Sequence, residues 1–266
     1  GAAALFVLGP EVDRKTWRIY AERLELDQTY PGIQGIGFSR WIRPDEKAAR
    51  ENAIRADGYP SYAIRPIGER SMYTAIEFLE PMRDRNLRAI GYDMYSEPVR
   101  REAMDRALLS GAPALSGKIT LVQENRRAQQ SGCQLYLPIY RGDIPLVTDD
   151  DRRRALIGFA FSPFRMGDLM TAALANTPEV VNVSLYDGES DAPEALLFDS
   201  RPADEKSVFR RNMTVFETAG RRWTLVVYSG PEGAFMAVHS RSLAVAGSGL
   251  ILAILSFFFI RSVAGG

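Results

Sequence analysis

Cys133 and His239 are the one thiol and the one imidazole among 266 residues. Nucleophilic catalysis needs a nucleophile with a base beside it, and a zinc centre needs several nitrogen or sulfur ligands at close spacing. Neither residue has such company. Cys133 follows Ser131-Gly132 at the head of an apolar run, with no histidine, second cysteine or basic cluster near it in sequence. It reads as a packed core thiol rather than a reactive one. His239 stands two residues before Arg241, at the border of an uncharged stretch, which makes it an interfacial residue and not a triad member. Glu77 and Glu80 form an acid pair of a kind common on charged surfaces, and Arg65 reads as the ion-pair partner of Glu77 or of an acidic ligand. The chain has no Walker A loop, no HExxH and no GxSxG, and Gly35-Ile36-Gly37-Phe38-Ser39-Arg40 lacks the spacing of a dinucleotide fingerprint. No catalytic residue, metal site or cofactor is expected.

Charge narrows the classes further. Lys+Arg and Asp+Glu both number 33, for a net charge of zero, and all the basic residues but Lys15, Lys47, Lys118 and Lys206 are arginines. A nucleic-acid binder normally shows a basic excess, so none is expected as a partner. With 46% hydrophobic and 25% charged residues the chain is long enough and apolar enough for one or two cored domains. The charges are unevenly placed. Residues 242–260 carry none, and as a helix they span about 28 Å, the thickness of a bilayer core. Arg241 and Arg261 bracket them as interfacial anchors do. This stretch is expected to be a C-terminal transmembrane helix, and the apolar opening before residue 10 the end of a longer helix or anchor.

Between these ends the pattern predicts an α+β fold. Val12, Trp17, Tyr20 and Leu24 recur near helical spacing in 11–29, and Tyr30-Pro31-Gly32 stops that helix. A strand is expected at 33–38 and a helix at 44–56, opening with proline and acids. Strands follow at 62–65 and 73–79, and a short run at 90–94 leads to a helix capped by Ser96 and ended by Gly111. Runs 115–123 and 134–140 read as an antiparallel pair. The polar segment 142–154, with three successive Asp and three successive Arg, reads as a solvated loop and a domain boundary. Beyond it come a strand at 156–161, a helix near 164–175, strands at 180–187 and 195–198, and a hairpin, 213–218 with 223–228, turning at Ala219-Gly220.

The runs YPGIQGIGF (30–38), GYDMYSEPVRREAMDRAL (91–108), GAPALSGKITLVQE (111–124) and LYLPIY (135–140) resemble the CHASE domain. This is the extracytoplasmic ligand-sensing module of bacterial and plant receptor histidine kinases and nucleotide cyclases. The resemblance covers about 1–235. It implies an N-terminal stalk helix (1–30), a membrane-distal PAS-like ligand-binding domain (31–150), a membrane-proximal PAS-like domain (151–235) and the exit helix at 242–260. In cytokinin-binding members an Asp at the position of Asp93 and a main-chain group at that of Leu115 contact the ligand, so the resemblance makes both candidates here. Tyr73, Phe78, Thr120 and Tyr136 lie on strands expected to line the same cavity.

The function so implied is small-ligand sensing, the ligand being adenine-like or another small organic molecule, by a receptor of the inner membrane with its sensor in the periplasm. A homodimer through the N-terminal helix would turn ligand-induced repacking into motion of the membrane helices. The expected effector is a histidine kinase, with a diguanylate or adenylate cyclase as the alternative. A structural spacer with a filled interior and a membrane-tethered periplasmic enzyme are the readings from other classes.

Overall fold

The computed structural model describes residues 2–6, 11–26, 32–122, 130–175, 181–202 and 210–229. The expected membrane helix at 242–260, and His239 beside it, lie outside the described residues. Among those that are described, no helix is long and apolar enough to cross a membrane.

A 3₁₀ turn, Ala2–Phe6, precedes helix α1 (Arg14–Glu22), whose first turn is capped by the Asp13 carboxylate on the Thr16 N–H at 2.7 Å. Strand β1 (Ile36–Ile42) leads to α2 (Lys47–Ala56), and a long connection to β2 (Tyr73–Glu80). The short α3 (Asp84–Leu87) and a 3₁₀ turn, Met94–Ser96, come before α4 (Pro98–Ser110). The short strands β3 (Ala114–Leu115) and β4 (Ile119–Thr120) follow, and then the long β5 (Ser131–Tyr140). After α5 (Asp149–Ala155) come β6 (Leu156–Arg165), α6 (Met166–Leu174), β7 (Val181–Asp187), β8 (Leu196–Asp199) and the hairpin β9 (Arg210–Thr218) with β10 (Arg221–Ser229).

These strands form two antiparallel sheets. The first runs β2-β1-β6-β5-β3, with β4 also on β5, and the second runs β8-β7-β10-β9. The α+β class is therefore as expected, but the boundary expected at 150 is not where the sheets divide. Strand β6 lies in the middle of the first sheet, bonded to β1 on one side and β5 on the other. All ten of its residues are buried, as befits a central strand covered on both faces. The change of sheet falls after α6.

Two further expectations are corrected. The N-terminal helix is nine residues long and lies against the first sheet: Trp17 is buried and stacks on Phe78, and its indole N–H donates to the Ile36 carbonyl. Of the expected apolar stripe, Val12 and Trp17 belong to the core, and Tyr20 and Leu24 pack against it half-buried. The run expected as a solvated loop holds α5, where Thr148 and Asp151 form a capping box. Three acids begin that helix and three arginines end it, as its dipole favours.

One face of the first sheet is covered by α1, α6 and the inner face of the second sheet, through residues such as Phe38, Phe78, Leu115, Met166, Leu185 and Trp223. The other face is covered by α2, the 59–64 segment and α4, through Ile54, Tyr62, Met94, Met104, Tyr136 and Phe159.

Candidate functional site

Asp93 sits at the centre of the second of these cores, held there by an irregular lacework. Gly91 has φ +82°, and a Cβ on it would come within 2.4 Å of the Ala63 carbonyl oxygen. Only glycine allows that turn and that approach together. The segment then bonds to both neighbours: Asp93 N–H donates to Arg65 O at 2.6 Å, Arg65 N–H to Gly91 O at 2.8 Å, and Ile76 N–H to Tyr92 O at 3.0 Å. The carboxylate is thereby fixed inward and is fully buried.

Its two oxygens differ. Oδ1 accepts from the main-chain N–H of Thr74 at 2.8 Å and of Tyr95 at 3.1 Å, and so caps the 3₁₀ turn. Oδ2 accepts no hydrogen bond, and faces the Arg70 guanidinium at 3.5 Å. Burial raises the Asp93 pKa above the usual carboxylate value, against the pull of the Thr74 N–H, Arg70 and the Tyr95 N–H. Arg70 belongs to the surface segment over the site. It donates to the carbonyls of Pro66 and Gly68, and the Tyr73 hydroxyl also donates to Gly68 O, at 3.0 Å.

The six residues expected to line one cavity do not converge. Asp93, Tyr73 and Tyr136 share the α4 side of the sheet. Phe78 and Leu115 face the opposite core, against Trp17 and the second sheet. The main chain of Leu115 is fully engaged: its N–H donates to Ala219 O and its carbonyl accepts from Arg106. Thr120 is exposed at the sheet edge. Ser96, the expected cap of α4, instead donates to Asp93 O, and Glu97 caps that helix through the N–H groups of Val99 and Arg100. Arg65 does not meet Glu77; it donates to the carbonyls of Arg88 and Ile90.

Other residues build the site's walls. The Tyr136 hydroxyl donates to Gln134 Oε1 at 3.0 Å, Arg100 Nε donates to the same oxygen at 3.3 Å, and Arg100 Nη2 reaches Thr120 O at 2.9 Å. Arg100 and Gln134 are both buried. This chain of polar contacts ties the interior to the sheet edge. Burial forces buried polar groups to find partners, but nothing in their local sequence says which. Met94 and Met104 fill the space between Asp93 and Tyr136, with Thr74 Oγ1 and Tyr136 Oη both 3.8 Å from a methionine sulfur.

No catalytic arrangement accompanies this. Cys133 is buried, with its thiol pKa raised by desolvation and then by the charge of Asp187. Among the described residues no group of three or more His, Cys, Asp or Glu is placed to hold a metal ion.

The sequence profile of the CHASE domain matches residues 10–198, from the start of α1 to β8. This chain belongs to the CHASE domain family. That membership makes it a sensory segment and not an enzyme. Among curated proteins, the hybrid signal transduction histidine kinase A of Dictyostelium discoideum is 27% identical over 177 residues, which are 65% of this CHASE chain and 8% of the kinase. Among solved structures, an extracellular ligand binding receptor from Desulfohalobium retbaense superposes with a TM-score of 0.50 at 14% identity, covering 86% of this chain and 36% of that one. The periplasmic sensory domain of a Campylobacter jejuni chemoreceptor gives 0.46 at 9% identity, covering 88% and 85%. The first of these likenesses is one of fold.

Proposed function

We propose that this CHASE chain is the extracytoplasmic sensing part of an inner-membrane receptor histidine kinase, and that its ligand is a small molecule carrying N–H donors. The first sheet with its covering helices is the membrane-distal, PAS-like binding unit. The second sheet is the membrane-proximal unit, and 242–260 crosses the bilayer towards the kinase.

The observation that carries this reading is the Asp93 carboxylate. It is wholly buried, yet Oδ2 accepts no hydrogen bond and faces the Arg70 guanidinium at 3.5 Å. A buried acceptor left without a donor carries a penalty that a ligand N–H removes, and that penalty also rejects ligands lacking the donor. Entry requires the 65–72 segment to lift Arg70 away. It also requires Met94 and Met104 to repack, for which unbranched thioethers are suited. A chamber filled by these side chains favours a second reading, a spacer that binds nothing.

Thermal unfolding of the 266-residue protein with purines, small amines and small carboxylates decides between the two. Sensing predicts that an N–H donor raises Tm by mass action and that Asp93→Ala abolishes the rise. No shift with any N–H donor favours the spacer, and a full shift in Asp93→Ala overturns the role of Asp93.

A further inference from the structure

Outside the Asp93 chamber an open groove of about 980 Å³ runs between α2, the ends of β1 and β6, and the arginines following β5 and in α5. Its size suits a small organic ligand. Asp93 is not among its walls; the nearest link is Tyr95, whose main chain bonds Asp93 and whose ring lines the groove.

Two features of this groove point to one ligand chemistry. The first is aromatic. Trp41 is half-buried and meets the Tyr95 ring edge-on at 5.2 Å and 85°. Met72 and Ile157 add apolar surface beside them. A planar ring offered to such a wall gains both area and aromatic contact.

The second is charge. Six arginines and two glutamates line the groove, and the glutamates are already engaged: Glu11 by Arg40 and Arg50, Glu46 by Arg43. Arg40 and Arg50 are also tied to the buried Glu77, so they offer nothing to a ligand. Arg141 and Arg154 pair with Asp143 and Asp151, carboxylates two and three residues away on their own segments. Arg153 is different. Among the described residues it makes no ion pair or hydrogen bond, although it lies near enough to Tyr95 for its charge to act on the phenol. An uncommitted guanidinium fork beside an aromatic wall matches a carboxylate attached to a planar ring.

We infer that this groove is a second binding site, for an aromatic carboxylate, with Trp41 and Tyr95 receiving the ring and Arg153 the carboxylate. It is independent of the Asp93 reading, which concerns N–H donors.

Trp41 supplies its own probe, because Trp17 and Trp223 are both buried. Benzoate, benzamide and benzylamine are titrated into the full chain, followed by tryptophan fluorescence and by calorimetry. Benzoate is expected to bind saturably and at least about tenfold more tightly than the neutral amide, with the amine weakest. Arg153→Ala should cost benzoate about tenfold and leave benzamide unchanged, and Arg153→Lys should recover part of the loss. Trp41→Phe should remove the fluorescence change while calorimetry still sees binding. Absence of saturable benzoate binding, equal affinity for benzamide, or an unaltered benzoate affinity in Arg153→Ala each overturns the proposal.

Discussion

The main-chain N–H of Leu115 donates to the carbonyl of Ala219 at 3.0 Å, which joins the edge of the first sheet to the hairpin turn of the second. Arg106 reinforces the joint. From the last turns of α4 its Nη2 donates to Leu115 O at 2.6 Å and its Nη1 to Gly220 O at 2.9 Å. Beside it, Asp187 takes the Arg221 guanidinium on both oxygens at 2.7 Å, and Oδ2 also accepts the Lys118 N–H at 2.8 Å. Helix α4 also walls the chamber, through Ala103 and Met104. The one helix thus touches both the chamber and the β9–β10 turn.

Arg106→Ala should loosen this joint without unfolding either sheet. Two carbonyls lose a charged donor, one of them on the buried Leu115, so a loss of about 1–3 kcal/mol in urea unfolding is expected. Hydrogen exchange should quicken at the amide of Leu115, which donates across the joint. Unchanged exchange there would show that the guanidinium is only a surface contact.

Asp93 makes stability depend on pH in a defined sense. Its folded-state pKa is raised, chiefly by burial, above the unfolded value of about 3.9. The folded chain therefore holds the proton over a window above pH about 4. Asp93's contribution is fully present below that window and is lost as pH rises through the folded pKa. Relative to Asp93→Asn, the wild type should gain stability as pH falls from 7 towards 4, with a slope no steeper than about 1.4 kcal/mol per pH unit. Denaturant midpoints of both proteins across that range check it. A difference that stays flat, or that grows with rising pH, would mean that Arg70 outweighs burial.

Glu77 places a buried charge between two arginines in the first sheet. Fully buried, it accepts from Arg50 Nε at 2.5 Å and Nη2 at 2.7 Å and from Arg40 Nε at 3.2 Å. Removing one partner of a buried pair leaves the others uncompensated, so Glu77→Ala should cost about 3–5 kcal/mol. A double-mutant cycle with Arg50→Ala should recover a coupling of at least about 1 kcal/mol. Additive losses would contradict the pairing.

The same residue illustrates what the sequence conceals. The ladder between β1 and β2 shifts register between Phe38 and Ser39, so that Phe78 and Ile76 are paired and Glu77 between them is not. Phe78, five residues from Tyr73, faces the opposite α1 core as alternation alone requires, whereas Glu77, an acid that reads as surface, is buried. Local signals behaved better: the turn at Ala219-Gly220, the stop of α4 at Gly111 and the strand beginning near 156 are all where the residues indicate. What the strand near 156 does not disclose is its partners. β6 pairs with β1, more than a hundred residues earlier, and no local pattern carries that distance. Arg70, Arg100 and Gln134 carry no local signal for the same reason: each meets the site through contacts remote in sequence.

Gly91 offers the sharpest test of how the site is held. An alanine there meets two obstacles at once, a φ of +82° and the Ala63 carbonyl oxygen at 2.4 Å from the new methyl carbon. The left-handed conformation alone costs about 1–2 kcal/mol, and the contact forces the 59–64 segment outward. Gly91→Ala should therefore lower stability by about 2 kcal/mol or more. Gly111→Ala provides the comparison, since its φ is +70° but its Cβ would meet nothing within 4 Å. The excess loss at Gly91 over Gly111 measures the close approach itself. Because Gly91 O accepts from Arg65 and Asp93 N–H donates back to it, that displacement moves the carboxylate. At a temperature where the variant remains folded, the thermal shift from an N–H donor ligand should fall in Gly91→Ala and persist in Gly111→Ala. Equal losses in the two variants would mean that the approach to Ala63 is not what fixes Asp93.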